Sequence, residues 1–118
     1  MLDDIINKLK TISKYSEIRN QHSSAVIYKN KILSIGINHF VNNISPRSTI
    51  HAEVDALFKY KKIKNYYKNV ELIVIRTNKT SKLINSKPCS NCMDNIKKLN
   101  IKKIYFSNEF GAIDYIKI

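Results

Sequence analysis

Over residues 2–15 the apolar positions Leu2, Ile5, Ile6, Leu9 and Ile12 recur at helical steps, with Asp3 and Asp4 where a first turn would fall. This predicts an amphipathic covering helix. Residues 16–21 are polar and read as a connection, after which the period changes. Ala25-Val26-Ile27-Tyr28 and Ile32-Leu33-Ser34-Ile35-Gly36-Ile37 flank Lys29-Asn30-Lys31, a β-hairpin pattern with Asn30 suited to the turn. Residues 39–49, with Ser45-Pro46, read as a polar loop. A second helix opens at His51 and is expected to turn Val54, Leu57, Phe58 and Ile63 inward. Val70 to Ile75 is apolar but for Glu71, as in a central strand covered on both faces. Residues 76–86 form a polar loop that delivers Pro88, and Met93, Ile96 and Leu99 give the following helix an apolar stripe. Ile101–Phe106 and Ala112–Ile118 are the last strands. Only Ser107-Asn108-Glu109-Phe110-Gly111 separates them, too little for a parallel crossover, so they form an antiparallel hairpin.

Composition narrows the class. At 118 residues the chain can bury a core without disulfide staples. Its two cysteines stand three apart with no others, which suits a reducing compartment. The start, Met1-Leu2-Asp3-Asp4, is acidic and unlike a secretory leader, and no apolar run approaches a membrane span. A soluble cytoplasmic protein with no membrane partner is the expectation. A net charge of +12 and a pI near 9.8 raise nucleic acid as a partner. Lysine dominates that charge, Arg19, Arg47 and Arg76 being the only arginines, and many lysines fall on outward helix faces. The accompanying wealth of isoleucine, asparagine and tyrosine matches a genome poor in G and C, so the charge is compatible with anionic substrates and proves none.

The candidate chemistry lies in two stretches, His51-Ala52-Glu53 and Pro88-Cys89-Ser90-Asn91-Cys92. Cysteines at i and i+3 share a helix face and can reach one metal ion, and Pro88 suggests that they lie at a helix N-terminus, where the macrodipole favours thiolates. A third ligand must come from His22, His39, His51 or a carboxylate. All three histidines precede the cysteines, which excludes the usual zinc-finger order, and no further cysteine exists for a four-thiolate site. A three-ligand site with an open position for water is the economical reading, and Glu53 is a carboxylate able to take that water's proton. The two-residue spacing of His51 and Glu53 places His51 at a bend and Glu53 in a first helical turn. Gly36, inside a strand, signals a close approach to the backbone by packing or by a ligand, and neighbouring Asn38 tilts the reading toward a ligand. Each piece has an ordinary reading too: a redox C-x-x-C pair, a core histidine, a carboxylate stabilised by a helix dipole, a turn asparagine.

Taken together, H-A-E followed by P-C-x-x-C resembles the zinc-dependent cytidine deaminase-like superfamily, over most of residues 22–107. The resemblance implies His51, Cys89 and Cys92 as zinc ligands and Glu53 as proton shuttle. It implies that Asn38 touches the substrate sugar and that Gly36, Ala52 and Ser86 line the substrate pocket. Pattern and resemblance together imply one three-layer α/β/α domain over residues 1–118, with a mixed five-stranded sheet and both motif helices side by side on one face. The short last hairpin is similar to that of free-cytidine deaminases and APOBEC-type enzymes, and departs from the tRNA adenosine and deoxycytidylate branches. No helix follows Ile118, so a site-capping helix is expected to be missing or supplied by a neighbouring subunit. The implied activity is hydrolytic deamination of a cytosine nucleoside or nucleotide by zinc-bound hydroxide, within pyrimidine salvage, by a homo-oligomer. The alternatives are a deaminase of bases in single strands or tRNA, a purine deaminase, and a non-catalytic zinc-holding subunit. Glu53 argues against the last.

Overall fold

The first apolar repeat forms α1 (Leu2–Ser13), with Asp3 and Asp4 in its first turn and Lys10 in its last, charges that suit the two ends of a helix dipole. The computed structural model describes residues 2–16, 18, 21–40, 49–61, 69–80, 82–88, 90–97 and 101–118. β1 (Gln21–Tyr28) and β2 (Lys31–Ile37) are the antiparallel hairpin that the alternation predicts. Lys29 and Asn30 turn it with φ of 48° and 63°, the left-handed pair that a two-residue hairpin loop needs. β1 starts ahead of the apolar run at Ala25, because Gln21 to Ser24 all pair with β5, and Ser23 and Ser24 with β2 as well.

β3 (His39–Phe40) and β4 (Thr49–Ile50) pair with each other, so the expected loop is stitched at its base. Then come α2 (Ala52–Lys61), β5 (Val70–Thr77), β6 (Leu83–Ile84), α3 (Ser90–Lys97), β7 (Ile101–Ser107) and β8 (Ile113–Lys117). The main sheet runs β2-β1-β5-β7-β8, with β6 pairing onto β5. Its five-strand path is the expected mixed sheet: β5 and β7 are parallel, and β7 and β8 form the antiparallel final hairpin. β6 is a short addition within a segment expected to be loop.

Each face of the sheet has its own aliphatic core. Ile5 and Leu9 of α1 pack with Ala25, Ile27, Ile73 and Ile75 on one side. Ala56, Leu57 and Tyr60 of α2 and Ile96 of α3 pack with Val26, Leu72 and Ile104 on the other. The result is three layers, α1 over one face and the two motif helices over the other.

The inward face of α2 differs from the apolar pattern. Ala52, Glu53, Asp55, Ala56, Leu57 and Tyr60 are buried, whereas Phe58 is 58% exposed and Ile63 lies outside the described residues, as does Leu99. Gly36 gives the reason. A Cβ there would stand 2.3 Å from the backbone N of Ala56 and 2.4 Å from the carbonyl O of Ala52. The helix backbone rests on the strand, so only small side chains fit beneath it, and the rotation that puts Ala52 and Ala56 inside turns Phe58 out. The close approach expected at Gly36 is therefore met by helix packing, the first of the two readings that the sequence left open.

Candidate active site

Two serines and an aspartate fasten α2 at a fixed depth. Ser24 Oγ donates to the Ala52 carbonyl at 2.6 Å and Ser34 Oγ to the Ala56 carbonyl at 2.8 Å. Asp55 Oδ2 accepts the Ile37 backbone N–H at 3.1 Å and the Lys59 ammonium at 3.0 Å. None of these three was singled out by motif. Their signal was faint: polar residues at inward positions of a strand or a helix.

The helix begins where the two-residue spacing predicts. The carbonyl of His51 accepts the first helical bond, from the Asp55 N–H at 3.0 Å, so His51 sits at the bend and Glu53 falls in the first turn. His51 is exposed. Glu53 is only 5% exposed. Each of the other buried polar side chains among the described residues has a hydrogen-bond partner there, from Ser13 with Thr77 to Ser107 with Ile84. Glu53 alone has no hydrogen bond or ion pair with a described residue. Its carboxylate is thereby left uncommitted by the described fold.

Sheet register places further residues near this helix end. Ser24, whose hydroxyl reaches Ala52, pairs with Gly36 on β2 and with Val74 on β5. One pleat further out, and on the same face, His22 pairs with Arg76. Asn38 adjoins them, its N–H meeting the His22 carbonyl at 3.3 Å. Asn38 is buried, and its Oδ1 accepts from Ser16 Oγ at 2.6 Å and from the His22 N–H at 2.9 Å. Its oxygen is thus committed within the fold.

Ser86 is committed too. Its Oγ donates to the Val74 carbonyl at 2.9 Å and accepts the Ser107 N–H at 2.9 Å, so its hydroxyl locks the ends of β5 and β7 together. This gives the hydroxyl a structural role. Ala52 is fully buried and its carbonyl is taken by Ser24; its backbone N–H is among those that a helix start leaves without an intrahelical partner. On the second motif, Pro88 is buried ahead of α3 rather than inside its first turn, and Cys92 falls within that turn. Cys89 lies outside the described residues. The helices α2 and α3 share one face of the sheet and one core.

Known proteins bear on this arrangement. The family model for the cytidine and deoxycytidylate deaminase zinc-binding region matches residues 2–108. A dCMP deaminase from the cyanophage S-TIM5, solved in complex with dCMP and dUMP, superposes with a TM-score of 0.73 at 22% identity, covering 92% of this chain and 81% of that one. A cytidine deaminase from Burkholderia pseudomallei gives a TM-score of 0.74 at 14% identity, covering 99% of this chain and 92% of its own. A mutant cytidine deaminase from Mycobacterium tuberculosis gives 0.64 at 10% identity, covering 90% and 84%. At such identities the likeness is one of fold. No curated protein sequence matches the chain.

Proposed function

Because this chain belongs to the cytidine and deoxycytidylate deaminase family, we propose that it hydrolyses the amino group of a cytosine nucleoside or nucleotide, consuming water and releasing ammonia and the uracil form. The observation that carries this reading is Glu53, a buried carboxylate without a described partner in the first turn of α2, two residues after His51. One imidazole and two thiolates are a donor set that suits zinc and leaves a fourth position open. His51, Cys89 and Cys92 would hold it. When bound, zinc supplies a water acidified toward neutral pH.

Glu53 would take the proton from that water, hold it as a carboxylic acid, and deliver it to the ring nitrogen as the new C–O bond forms. It would then take the second proton from the newly bonded hydroxyl and carry it to the departing amine as the C–N bond breaks, leaving the carbonyl of the uracil form and ammonia. Its shelter favours this task, since a carboxylate screened from bulk water interacts strongly with charge that develops beside it. The dCMP and dUMP bound to the cyanophage protein support a nucleotide substrate, and the likeness to cytidine deaminases supports a nucleoside. One observation favours a second reading: the net charge of +12 suits a base presented in a single strand.

The test is ammonia release by zinc-loaded protein from cytidine, deoxycytidine, their monophosphates, adenosine, guanine and cytosine-containing single strands. Turnover of a free cytosine nucleoside or nucleotide is expected. Activity confined to strands and falling steeply with salt would transfer the function to nucleic acid, and silence throughout would leave a non-catalytic zinc-holding protein.

A further inference from the structure

α1 packs on β1 and β5, with Ile5 and Leu9 against Ala25, Ile27, Ile73 and Ile75. The β7–β8 end of the same sheet face has no helix over it among the described residues. Alternation places Lys103 and Tyr105 of β7 on that face, with Ile113, Tyr115 and Lys117 of β8 and Glu71 of β5 beside them. Tyr105 and Ile113 border the α1 core and stay partly exposed, Lys117 is exposed, and Tyr115 is 52% exposed. The register sets like against like. Tyr105 stands opposite Tyr115, their ring centroids 6.2 Å apart at 57°, and Lys103 stands opposite Lys117. The Lys103 ammonium leans over both rings, 4.6 Å from the centroid of Tyr115 and 5.3 Å from that of Tyr105. It also donates to the Tyr105 hydroxyl at 3.5 Å, which in turn donates to Glu71 Oε2 at 3.4 Å.

Like charges directly opposite each other weaken a strand pair, and an anion held between Lys103 and Lys117 would relieve that repulsion. Two cations beside solvent-facing aromatic rings on neighbouring strands suit one class of anion above others. Single-stranded nucleic acid stacks its bases on such rings while its phosphates meet the lysines. An acidic peptide would satisfy the lysines and leave the rings unused. A second copy of the chain, paired face to face, would bring lysine onto lysine. We propose that the open face of β7 and β8 binds single-stranded nucleic acid, with a base stacked on Tyr115 and neighbouring phosphates on Lys103 and Lys117. The net charge of +12 adds attraction over distance. Glu71 is the one carboxylate that these three strands place on this face, and the Tyr105 hydroxyl already donates to it. The surface lies across the sheet from α2 and α3 and does not depend on the deaminase reading.

Fluorescence anisotropy of a dye-labelled oligothymidine of about twelve nucleotides, titrated with the zinc-loaded protein over a range of salt, tests this. Wild-type protein is expected to bind, with an affinity that falls as salt rises. Tyr115→Leu should weaken binding at least about fivefold with the salt slope unchanged, because it removes a stacking ring and no charge. Tyr115→Phe keeps the ring and should bind as wild type does. Lys103→Gln and Lys117→Gln should each lower the logarithmic salt slope by about 0.7, the share of one phosphate contact on a single strand. Wild-type protein that does not bind the strand at low salt overturns the proposal. So does undiminished binding by Tyr115→Leu, or a salt slope unchanged in both lysine variants. Polyglutamate that displaces the strand at equal charge concentration would assign the face to an acidic protein instead, and a dimer that Tyr115→Leu dissociates would assign it to a second copy. Binding is read here without turnover, so protein that releases no ammonia from any substrate would end the deaminase reading and leave this result standing.

Discussion

Replacing Gly36 with alanine separates a packing glycine from a ligand-binding one. The added Cβ would lie 2.3 Å from Ala56 N, 2.4 Å from Ala52 O and 3.0 Å from Ala56 Cα. All three are helix backbone, which cannot swing aside as a side chain can. Relief requires α2 to lift from the sheet by about 1 Å, the shortfall from ordinary van der Waals contact. Overpacking of this kind costs about 1–3 kcal/mol. The lift also stretches the bonds from Ser24 and Ser34 to the same helix, each worth about 0.5–1.5 kcal/mol. Against this, alanine restricts the unfolded chain and returns about 0.4–1 kcal/mol. The balance is a loss of about 2–4 kcal/mol, a large part of the roughly 5–15 kcal/mol that holds a domain folded. Urea unfolding with an m-value of about 1.5 kcal/mol/M should show a midpoint lower by roughly 1.3–2.7 M at unchanged slope. A Gly36→Ala protein as stable as wild type, but weaker for substrate, would refute the packing argument in favour of the ligand reading.

Three other substitutions probe the site. Glu53→Gln should abolish ammonia release, retain zinc and melt as wild type does, because the amide keeps the shape of a side chain that bonds to no described residue; an active variant would end the proton-shuttle assignment. Ser86→Ala should lower stability by about 1–3 kcal/mol in urea melts, since the Ser107 N–H loses its acceptor inside the fold, and an unaltered melt would show that this hydroxyl is dispensable to packing. Cys92→Ala should lose zinc by elemental analysis and lose stability as well, because metal binding is linked to folding; retention of one zinc per chain would sink the ligand set.

Much of the architecture was legible because burial repeats along the chain. The helical spacing of Leu2 to Ile12, the hairpin around Asn30 and the unbroken apolar run into Ile75 each report one local environment, and each became the expected element. The order of the last two strands followed from loop length alone. What escaped was set by neighbours. Phe58 looks like a core residue until Gly36 brings the helix backbone onto the strand, and no periodicity encodes that contact. β6 exists because the end of β5 offers Arg76 and Thr77 as partners to Ile84 and Leu83, two residues too few to register as a strand pattern. Residue type and order singled out His51 and Glu53 as candidates, and their spacing predicted the helix start that α2 shows. The same reading could not show that the oxygen of Asn38 and the hydroxyl of Ser86 already have partners, because those partners come from α1, β1 and β7.

The buried polar groups are not scattered through the interior. Ser23, Ser24, Asn38, Thr77, Ser86 and Ser107 all lie at the end of the sheet where β1 begins and β2, β5 and β7 finish. At the opposite end, Val26, Ile27, Val70, Leu72, Ile101 and Ile104 are aliphatic throughout. Hydrogen bonds among serines, threonines and backbone carbonyls have fixed lengths and directions, whereas aliphatic contacts tolerate sliding, so the polar end is the stiffer one. It is also the end that supports the start of α2, and a displacement there would carry His51 and Glu53 together. A site that acts by holding charged groups at set positions gains from such a support, since its groups need not reorganise as charge develops. Glu53 is the one buried residue in that region whose side chain has no described partner, and a rigid surround that leaves this carboxylate uncommitted is what the proposed proton transfer would require.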